Sequence, residues 1–335
     1  MRAGGGRIQV SVVIPSYNRL DALPETLAAL SRQTLDASAF EVLVADDGSS
    51  DGTVEWLRHH RGDFPFTLEW IEQARGGPGA ARNRGARAAH QGLLLFWDSD
   101  MIAAPDLLQV HTSRHNTSER ILVSGARRPW PPACQSAFSR ITVLSGPRDH
   151  LGDGRPTIFE VLSSNLSIRR DLFLQLGGFD ESLWAYEDLD FAYRAQQAGV
   201  LLVFSHEAFG YHNHPQTLEQ ACGHQRAYQV HAASFLSRYP ELKGQVRYLV
   251  DKAPADLRHD SPGLILRKGM RGLIASPVVL RGLVAWVHFL ERWWPRPKVL
   301  SFFYWKVVSS YQYLGYREGL EKLRGTQRRD LRLHT

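Results

Sequence analysis

The chain has 335 residues, of which 43% are hydrophobic and 22% are charged, a composition typical of a soluble globular protein with one large domain or two smaller ones. Its two cysteines, Cys134 and Cys222, lack the spacing of a metal site or of a secreted disulfide framework, so a reducing cytoplasm is the expected compartment. Residues 1–9 hold three glycines and no apolar core, so we expect no signal peptide there.

The net charge of +6 is unevenly divided along the chain. Residues 262–335 carry 14 Lys and Arg against 4 Asp and Glu, a net charge of +10, whereas residues 1–261 carry 26 against 30, a net charge of −4. The basic character therefore belongs to the C-terminal region. It says nothing about the ligand that residues 1–261, which are acidic, would bind.

The first hundred residues alternate between strand-like and helix-like segments. β-Branched runs bounded by Pro, Gly and Asp predict strands, and apolar residues at helical spacing predict helices. Such alternation predicts an α/β fold with a mostly parallel sheet and right-handed crossovers. The predicted strands are 8–14, 41–45, 66–71 and 92–97, and the predicted helices are 20–33, 53–58 and 80–90.

Two aspartates, Asp98 and Asp100, follow the fourth predicted strand. They stand at a strand exit, which is the edge where open α/β sheets bind their ligands. Two such carboxylates can hold a hard divalent cation, the usual partner of a diphosphate. The pattern by itself is weak, because an isolated pair of this kind is more often a solvated turn.

A glycine-rich loop, 76–79, precedes the third predicted helix, whose first turn carries Arg82. Helix N-termini favour anions, and Arg82 or Arg84 could reach a phosphate. A dinucleotide fingerprint is disfavoured, because residues 72–75 separate the loop from its strand and no suitable acidic residue follows about 20 positions later.

Further along the chain, residues 184–191 open a predicted helix that runs to Ala198, and 200–204 is a predicted strand followed by a loop with His212 and His214. Residues 129–156 are rich in Pro and Gly and match no regular pattern, which predicts an irregular insertion of the kind that often carries specificity.

The basic C-terminal region predicts two aromatic-rich helices, 276–293 and 299–316. Neither is a good spanning helix, because Pro277, Arg281 and Lys306 interrupt the apolar residues. Amphipathic helices with Trp, Tyr, Arg and Lys lie well at an anionic membrane surface. The alternative is a helical hairpin that packs on the rest of the chain or on a second subunit.

The ordered series of motifs closely resembles the family 2 glycosyltransferases of the GT-A fold over roughly residues 8–215. The motifs are residues 11–19 (SVVIPSYNR), 44–49 (VADDGS), 79–85 (GAARNRG), 98–100 (DSD), 165–170 (NLSIRR), 177–181 (GGFDE) and 186–190 (YEDLD). The resemblance implies a Rossmann-like α/β fold with a mostly parallel sheet flanked by helices and an α-helical C-terminal extension. We expect a flexible N-terminus at 1–7, a catalytic domain at 8–240 and a helical, basic and aromatic region at 241–335.

The resemblance also implies a role for individual residues. Asp47 would read the base while Asp46 shapes its loop, and Asp98 would contact the ribose or the metal. The metal, Mn²⁺ or Mg²⁺, would be held by Asp98, Asp100 and a histidine, with His212 favoured over His214 and His206 left open. The implied nucleotide-binding residues are Pro15, Tyr17, Asn18, Asp46, Asp47, Arg82 and Asp98.

Catalysis on this interpretation needs a base opposite the leaving group. The resemblance points to Asp188 as the general base and to Glu187 as the residue that orients the acceptor or the base. One base and one displacement would invert the anomeric carbon. Acids at a helix start are otherwise often plain complements of the helix dipole.

The expected protein is a metal-dependent inverting glycosyltransferase that uses a nucleoside-diphosphate sugar. Its expected acceptor is a glycan or a lipid-linked molecule in cell-envelope or exported polysaccharide synthesis, and its expected place is the cytoplasm, peripheral on the inner face of the cell membrane. The alternative is a non-catalytic nucleotide-sugar-binding or scaffold protein. A nucleic-acid-binding protein is disfavoured, because it would leave the acidic motifs unexplained. The sequence names neither the sugar, the base, the acceptor nor the oligomeric state.

Overall fold

A computed structural model describes residues 10–144, 156–242 and 255–333. The strands are β1 (Val10–Ser16), β2 (Phe40–Asp46), β3 (Thr67–Glu72), β4 (Leu93–Trp97), β5 (Met101–Ala103), β6 (Ile121–Pro129), β7 (Asn165–Arg169) and β8 (Leu201–His212). The helices are α1 (Leu23–Leu30), α2 (Thr53–His60), α3 (Pro78–Ala88), α4 (Leu107–His115), α5 (Ala137–Leu144), α6 (Arg170–Gln175), α7 (Glu187–Gln197), α8 (Leu218–Val230), α9 (Ala232–Arg238), α10 (Pro262–Ile274), α11 (Pro277–Trp293) and α12 (Pro297–Leu333).

The strands form one sheet in the order β3-β2-β1-β4-β7-β6-β8-β5. β3, β2, β1 and β4 are parallel, as the alternation of predicted strands and helices indicates. β7 is antiparallel to both of its neighbours, and β5 is antiparallel to β8. The predicted α/β class is thus confirmed, and the sheet is mixed. β1, β2 and β4 end at one edge, which gathers the loops that follow them.

β7 is held in the middle of the sheet by a chain of buried hydrogen bonds. Asn165 Nδ2 donates to the carbonyls of Ala126 and Ala208, so its Oδ1 accepts from His111 Nε2 at 2.8 Å. Ser167 Oγ lies 2.7 Å from His111 Nδ1 and 2.8 Å from His115 Nε2, which makes the serine a donor to the first and an acceptor from the second. Burial lowers the pKa of His111 to about 4 and, helped by His111, that of His115 to about 3. Both imidazoles are therefore neutral near pH 7 and serve as polar supports of the sheet.

Two expectations from the sequence are wrong within the described residues. β8 continues to His212, so the expected loop after Phe204 is strand up to that histidine. The segment 129–156, expected to be irregular, contains the helix α5, and its residues 145–155 lie outside the described part of the chain.

The chain divides into two compact units. One comprises Met1–Ala133 and Gly146–His214, and the other comprises Cys134–Ser145 and Pro215–Thr335. This division falls earlier in the chain than the expected domain boundary at residue 240. The expected extent of the catalytic domain, residues 8–240, stays a prediction. The first unit contains the whole sheet and all the motif series.

The second unit is helical and has an apolar core of its own. Leu218 and Cys222 of α8 pack with Val287 of α11 and with Leu300 and Tyr304 of α12. In the described part of the chain no single helix has the length and hydropathy of a membrane span, whereas α10 and α11 together reach them with a bend of 79° at the break between them.

Candidate active site

A crevice of about 260 Å³ opens at the carboxyl ends of β1, β2 and β4. This is the edge where the crossover connections of a parallel sheet leave room for a ligand. It collects side chains from four of the sequence motifs. Its lining residues are Pro15, Ser16, Tyr17, Arg19, Asp47, Arg75, Pro78, Ala81, Arg82, Asp98, Ser99 and Asp100.

The two aspartates that end β2 have different partners. Asp46 Oδ1 accepts from the backbone N–H groups of Gly48 and Ser49 at 3.1 and 2.9 Å, which shapes the turn as expected. Asp47 is turned toward the glycine-rich loop, where Oδ1 accepts from Gly76 N at 2.7 Å and Oδ2 from Gly77 N at 2.9 Å. Asp47 therefore fixes the loop that opens α3 while it also lines the crevice.

Gly77 adopts a backbone conformation that other residues rarely take, with φ of 91°. A Cβ there would also stand 3.4 Å from the indole of Trp184. Both the conformation and the close approach favour glycine, because an L side chain is strained at positive φ. The loop thus needs its second glycine for geometry before any ligand is considered.

Asn18 joins the end of β1 to the turn after β2. It also has positive φ, 50°, which asparagine tolerates better than most residues. Its Oδ1 accepts from Ser50 N at 2.8 Å, and its N–H donates to Ser49 Oγ at 2.9 Å. Its side chain therefore aligns two loops and is absent from the crevice lining.

Tyr17 is 41% exposed at the mouth of the crevice. The Arg75 guanidinium lies over its ring, 3.1 Å from the centroid, and 5.7 Å from the Trp184 ring. Sequence reasoning named Tyr17 as a nucleotide-binding residue but missed Arg75 and Trp184. An arginine between two aromatic rings offers a cationic, planar surface at this end of the crevice.

Arg82 on α3 joins two acidic motifs that are far apart in sequence. Its Nη2 lies 2.8 Å from Asp98 Oδ1 and its Nη1 lies 2.8 Å from Glu187 Oε1. Although burial acts against the charged form, Asp98 and Glu187 raise the pKa of Arg82 above its usual value. Its Nε and the Oγ of Ser16 are buried without a protein hydrogen-bond partner among the described residues, and both residues line the crevice.

Asp100 meets two histidines from the end of β8. Asp100 Oδ2 lies 3.5 Å from His212 Nε2 and 3.4 Å from His214 Nδ1. The imidazole rings are stacked, with centroids 5.2 Å apart, and one atom from each of the three residues lies within 4.8 Å of the others. A carboxylate oxygen with two imidazole nitrogens suits a divalent transition metal. This group could hold a metal ion.

Arg19 completes the surroundings of Asp100, with its Nη2 at 3.1 Å from Oδ2. Burial of Asp100 would raise its pKa, but His212, His214 and Arg19 together hold that pKa well below the usual range. Burial lowers the pKa of His212 despite the aspartate beside it. The carboxylate is thus ionised at neutral pH, and the His212 imidazole is available as a neutral ligand.

Asp98 and Asp100 have different partners, although they were expected to share one metal. Asp98 is paired with Arg82, while Asp100 meets the histidines. Asp98 stays a predicted contact of ribose or metal. His214, the weaker candidate, lies as close to Asp100 as the favoured His212, whereas His206 lies outside this group.

The predicted base and its neighbour lie at the start of α7. Tyr186 has positive φ, 69°, and turns the chain so that Glu187 and Asp188 occupy the first helical turn. Both carboxylates are buried, at 7% and 8% exposure, and Asp188 Oδ1 is 2.9 Å from Leu189 N. Burial and the nearby Asp188 raise the pKa of Glu187 to about 7, against the opposing effect of Arg82. Neither residue is part of the crevice lining, and Arg82 connects Glu187 to it.

The sequence is similar to those of known glycosyltransferases. Residues 11–173 match the family model described as glycosyl transferase family 2. The uncharacterised glycosyltransferase YfnE of Bacillus subtilis is 29% identical over 262 residues, which cover 62% of this chain and 66% of YfnE. The chain spans less than two thirds of the length of the first curated relatives that it matches.

Solved structures show the same fold. The mannosyltransferase PcManGT of Pyrobaculum calidifontis, in complex with GDP-Man and Mn²⁺, superposes with a TM-score of 0.64 at 18% identity over 94% of this chain and 88% of that one. Residues 1–349 of TarS of Staphylococcus aureus, in complex with UDP-GlcNAc, superpose with a TM-score of 0.54 at 19% identity over 93% of this chain and 92% of that one. TarS, named a poly(ribitol-phosphate) β-N-acetylglucosaminyltransferase, is 34% identical over 93 residues, which are 28% of this chain and 16% of TarS. The expected GT-A architecture is confirmed.

Proposed function

We propose that the chain, whose residues 11–173 match the model of glycosyl transferase family 2, transfers a sugar from a nucleoside-diphosphate sugar to an acceptor hydroxyl. The single observation that carries this proposal is the convergence at one sheet edge. There the crevice, the Asp100–His212–His214 group and the Arg82-linked acids of α7 lie within one compact unit.

The crevice offers each part of a nucleotide sugar a suitable partner. Tyr17 and Arg75 present flat surfaces for a base, and Asp47 stands beside the glycine loop at the same end. Asp98 and Arg82 occupy the middle, where a ribose and a phosphate would lie in this proposal. PcManGT and TarS bind GDP-Man and UDP-GlcNAc in their structures, which supports a donor of this class.

The proposed metal site is formed by Asp100, His212 and His214. A bound divalent cation there would neutralise negative charge on the diphosphate leaving group. Two imidazole ligands suit Mn²⁺ better than Mg²⁺, which prefers oxygen ligands and dehydrates reluctantly. The Mn²⁺ in the PcManGT complex supports the same preference. His212, His214 and Arg19 together lower the pKa of Asp100, so the carboxylate is ionised.

The proposed base is Asp188, which would take the proton of the acceptor hydroxyl. Arg82 holds Glu187 at 2.8 Å and links α7 to the donor side of the crevice. A single carboxylate base with no covalent intermediate implies inversion at the anomeric carbon. The name of TarS, a transferase acting on a poly(ribitol-phosphate) polymer, supports a glycan or lipid-linked acceptor of cell-envelope or exported polysaccharide synthesis.

We also propose that the second unit lies on the cytoplasmic, anionic face of a membrane. Its exposed residues include Leu273, Val278, Trp286, Phe289 and Trp293, each at least 46% exposed. Together with the +10 charge of residues 262–335, these residues form the mixed apolar and basic surface that binds anionic bilayers.

A panel of nucleoside-diphosphate sugars tests the function. With Mn²⁺ present, the correct donor should raise the melting temperature, because a ligand that binds only the folded state stabilises it. Release of nucleoside diphosphate in the presence of acceptor then separates an enzyme from a nucleotide-sugar-binding protein. Stabilisation without any turnover across an acceptor panel would favour the binding protein, and no stabilisation by any donor would refute the donor site.

A further inference from the structure

A small basic cavity lies between α10 and α12 in the second unit, far in sequence from all the glycosyltransferase motifs. Its volume is about 80 Å³. A liquid water molecule takes about 30 Å³, so the cavity is the size of one small polyatomic group. Its polar lining consists of Arg267, Arg271, Lys306, Ser309 and Ser310.

The chemistry of the lining suits a phosphate group. Two guanidinium groups, one ammonium group and two hydroxyls converge there, and no acidic residue is among the lining residues in the described part of the chain. Arg271 Nε donates to Ser309 Oγ at 3.0 Å, which orients the guanidinium on α10 against α12. A planar guanidinium that is held in place can bind two phosphate oxygens at once, and lysine adds a point charge.

The two helices that form this cavity also carry exposed apolar residues. On α10, Leu266 and Leu273 are 66% and 68% exposed, and on α12, Phe302 and Trp305 are 57% and 51% exposed. Leu266 and Met270 are four residues apart and Met270 and Leu273 are three apart, so these side chains form one stripe along α10. This stripe lies next to the stripe that carries Arg267 and Arg271. Phe302 and Trp305 precede Lys306 and Ser309 by one helical turn on α12.

A basic cavity on helices with exposed apolar residues favours a lipid over a soluble anion as the ligand. A soluble phosphate needs no apolar surroundings, whereas a phospholipid presents its phosphate at the level where Trp, Phe and Leu enter the acyl boundary. We propose that the α10–α12 cavity binds the phosphate of an anionic phospholipid while the exposed apolar residues of the same two helices lie in the bilayer interface. The proposal rests on the membrane association proposed above and is independent of donor binding.

The experiment compares two kinds of vesicle with the same negative surface potential. One contains phosphatidic acid and the other contains oleate, so that the charge is phosphate in one and carboxylate in the other. The site variant is Arg267→Gln/Arg271→Gln/Lys306→Gln, and the control is Arg281→Gln/Arg292→Gln/Lys298→Gln, which removes the same charge from exposed positions outside the cavity. A double variant, Arg267→Gln/Lys306→Gln, keeps the Arg271–Ser309 contact in case the triple variant folds poorly.

We expect the wild-type chain to bind phosphatidic acid vesicles roughly ten-fold more tightly than oleate vesicles, the scale of a charge-assisted bidentate contact. The control should bind both vesicles more weakly with this ratio unchanged, because it loses diffuse attraction only. The site variants should bring the ratio close to one, with the melting temperature and donor binding kept at the wild-type level.

Three results would overturn the site without affecting the proposed transferase activity. Equal ratios in all variants would mean that attraction to the vesicle is diffuse. Stabilisation by soluble glycerol phosphate that equals the effect of phosphatidic acid vesicles would assign the cavity to a soluble phosphate. A wild-type chain that ignores both vesicles refutes the membrane association itself, and so the lipid site with it, while donor-induced stabilisation still reports on the first unit.

Discussion

Arg82 Nη1 lies 2.8 Å from Glu187 Oε1, so one ion pair joins two residues that are 105 positions apart in the chain. Arg82 lies in the second turn of α3, the helix after the glycine loop, and Glu187 is the first residue of α7, the helix that carries the predicted base. The ion pair thus connects the crevice lining with the start of α7, and both partners are buried.

Glu187 should make stability depend on pH. Its pKa is raised to about 7 in the folded chain from 4.5, so the folded state binds more protons than the unfolded state between these values. Its contribution to the free energy of unfolding is therefore full below pH 4.5 and lost as the pH rises through 7. Glu187→Gln should remove this slope in urea titrations. If the free energy of unfolding changes with pH in the same way for the wild-type chain and the variant from pH 4.5 to 8, the raised pKa is contradicted.

The two histidines beside Asp100 should contribute equally to metal affinity. His212→Gln and His214→Gln should each weaken Mn²⁺ binding by more than the 10- to 100-fold typical of a lost outer-shell partner, since each would remove a direct ligand. Mn²⁺ titration followed by electron paramagnetic resonance measures this. His206→Gln is the matched control on β8 and should bind Mn²⁺ as the wild type does. An unaffected His214 variant would return the site to Asp98, Asp100 and His212, the set expected from the sequence.

Asp100→Asn should abolish divalent-dependent donor binding and turnover with the fold intact, because it removes the charged ligand between the histidines. Donor-induced thermal stabilisation with and without Mn²⁺ is the measurement. Wild-type turnover by this variant in the presence of Mn²⁺ would refute the assignment of the metal site.

Asp188→Asn should separate chemistry from binding. Donor affinity should stay near wild type, while transfer falls by about two to four powers of ten, the usual contribution of general-base catalysis. Glu181→Gln, a change at an exposed carboxylate that pairs with Arg87, is the control and should transfer normally. Unimpaired transfer by the Asp188 variant would move the base elsewhere, with Glu187 the next candidate.

Exposed aromatic residues on α11 should carry much of the apolar part of membrane binding. Trp286→Gln/Phe289→Gln/Trp293→Gln should lower binding to anionic vesicles by roughly ten-fold or more, since each ring loses its burial in the interface. Leu174→Gln/Leu257→Gln, at exposed positions outside α11, is the control. Cutting the chain before Pro262 is the poorer test, because it uncovers Leu218 and Cys222 of α8 and should cause aggregation whether or not the unit binds membranes.

The sequence by itself determined the fold class, the first four strands with their helices, and the resemblance to family 2 glycosyltransferases. Periodicity and strand-end motifs are local properties, so Asp46, Asp47, Asp98 and Asp100 were all identified at the correct edge of the sheet. Tertiary structure decided which of them meet: Asp98 turns to Arg82, and Asp100 turns to His212 and His214. It also brought in Arg19, Arg75 and Trp184, whose roles depend on loops distant in sequence. β8 runs to His212 because it pairs with β5 and β6, and pairing between strands far apart in the chain is not encoded in the local pattern from which its end was predicted.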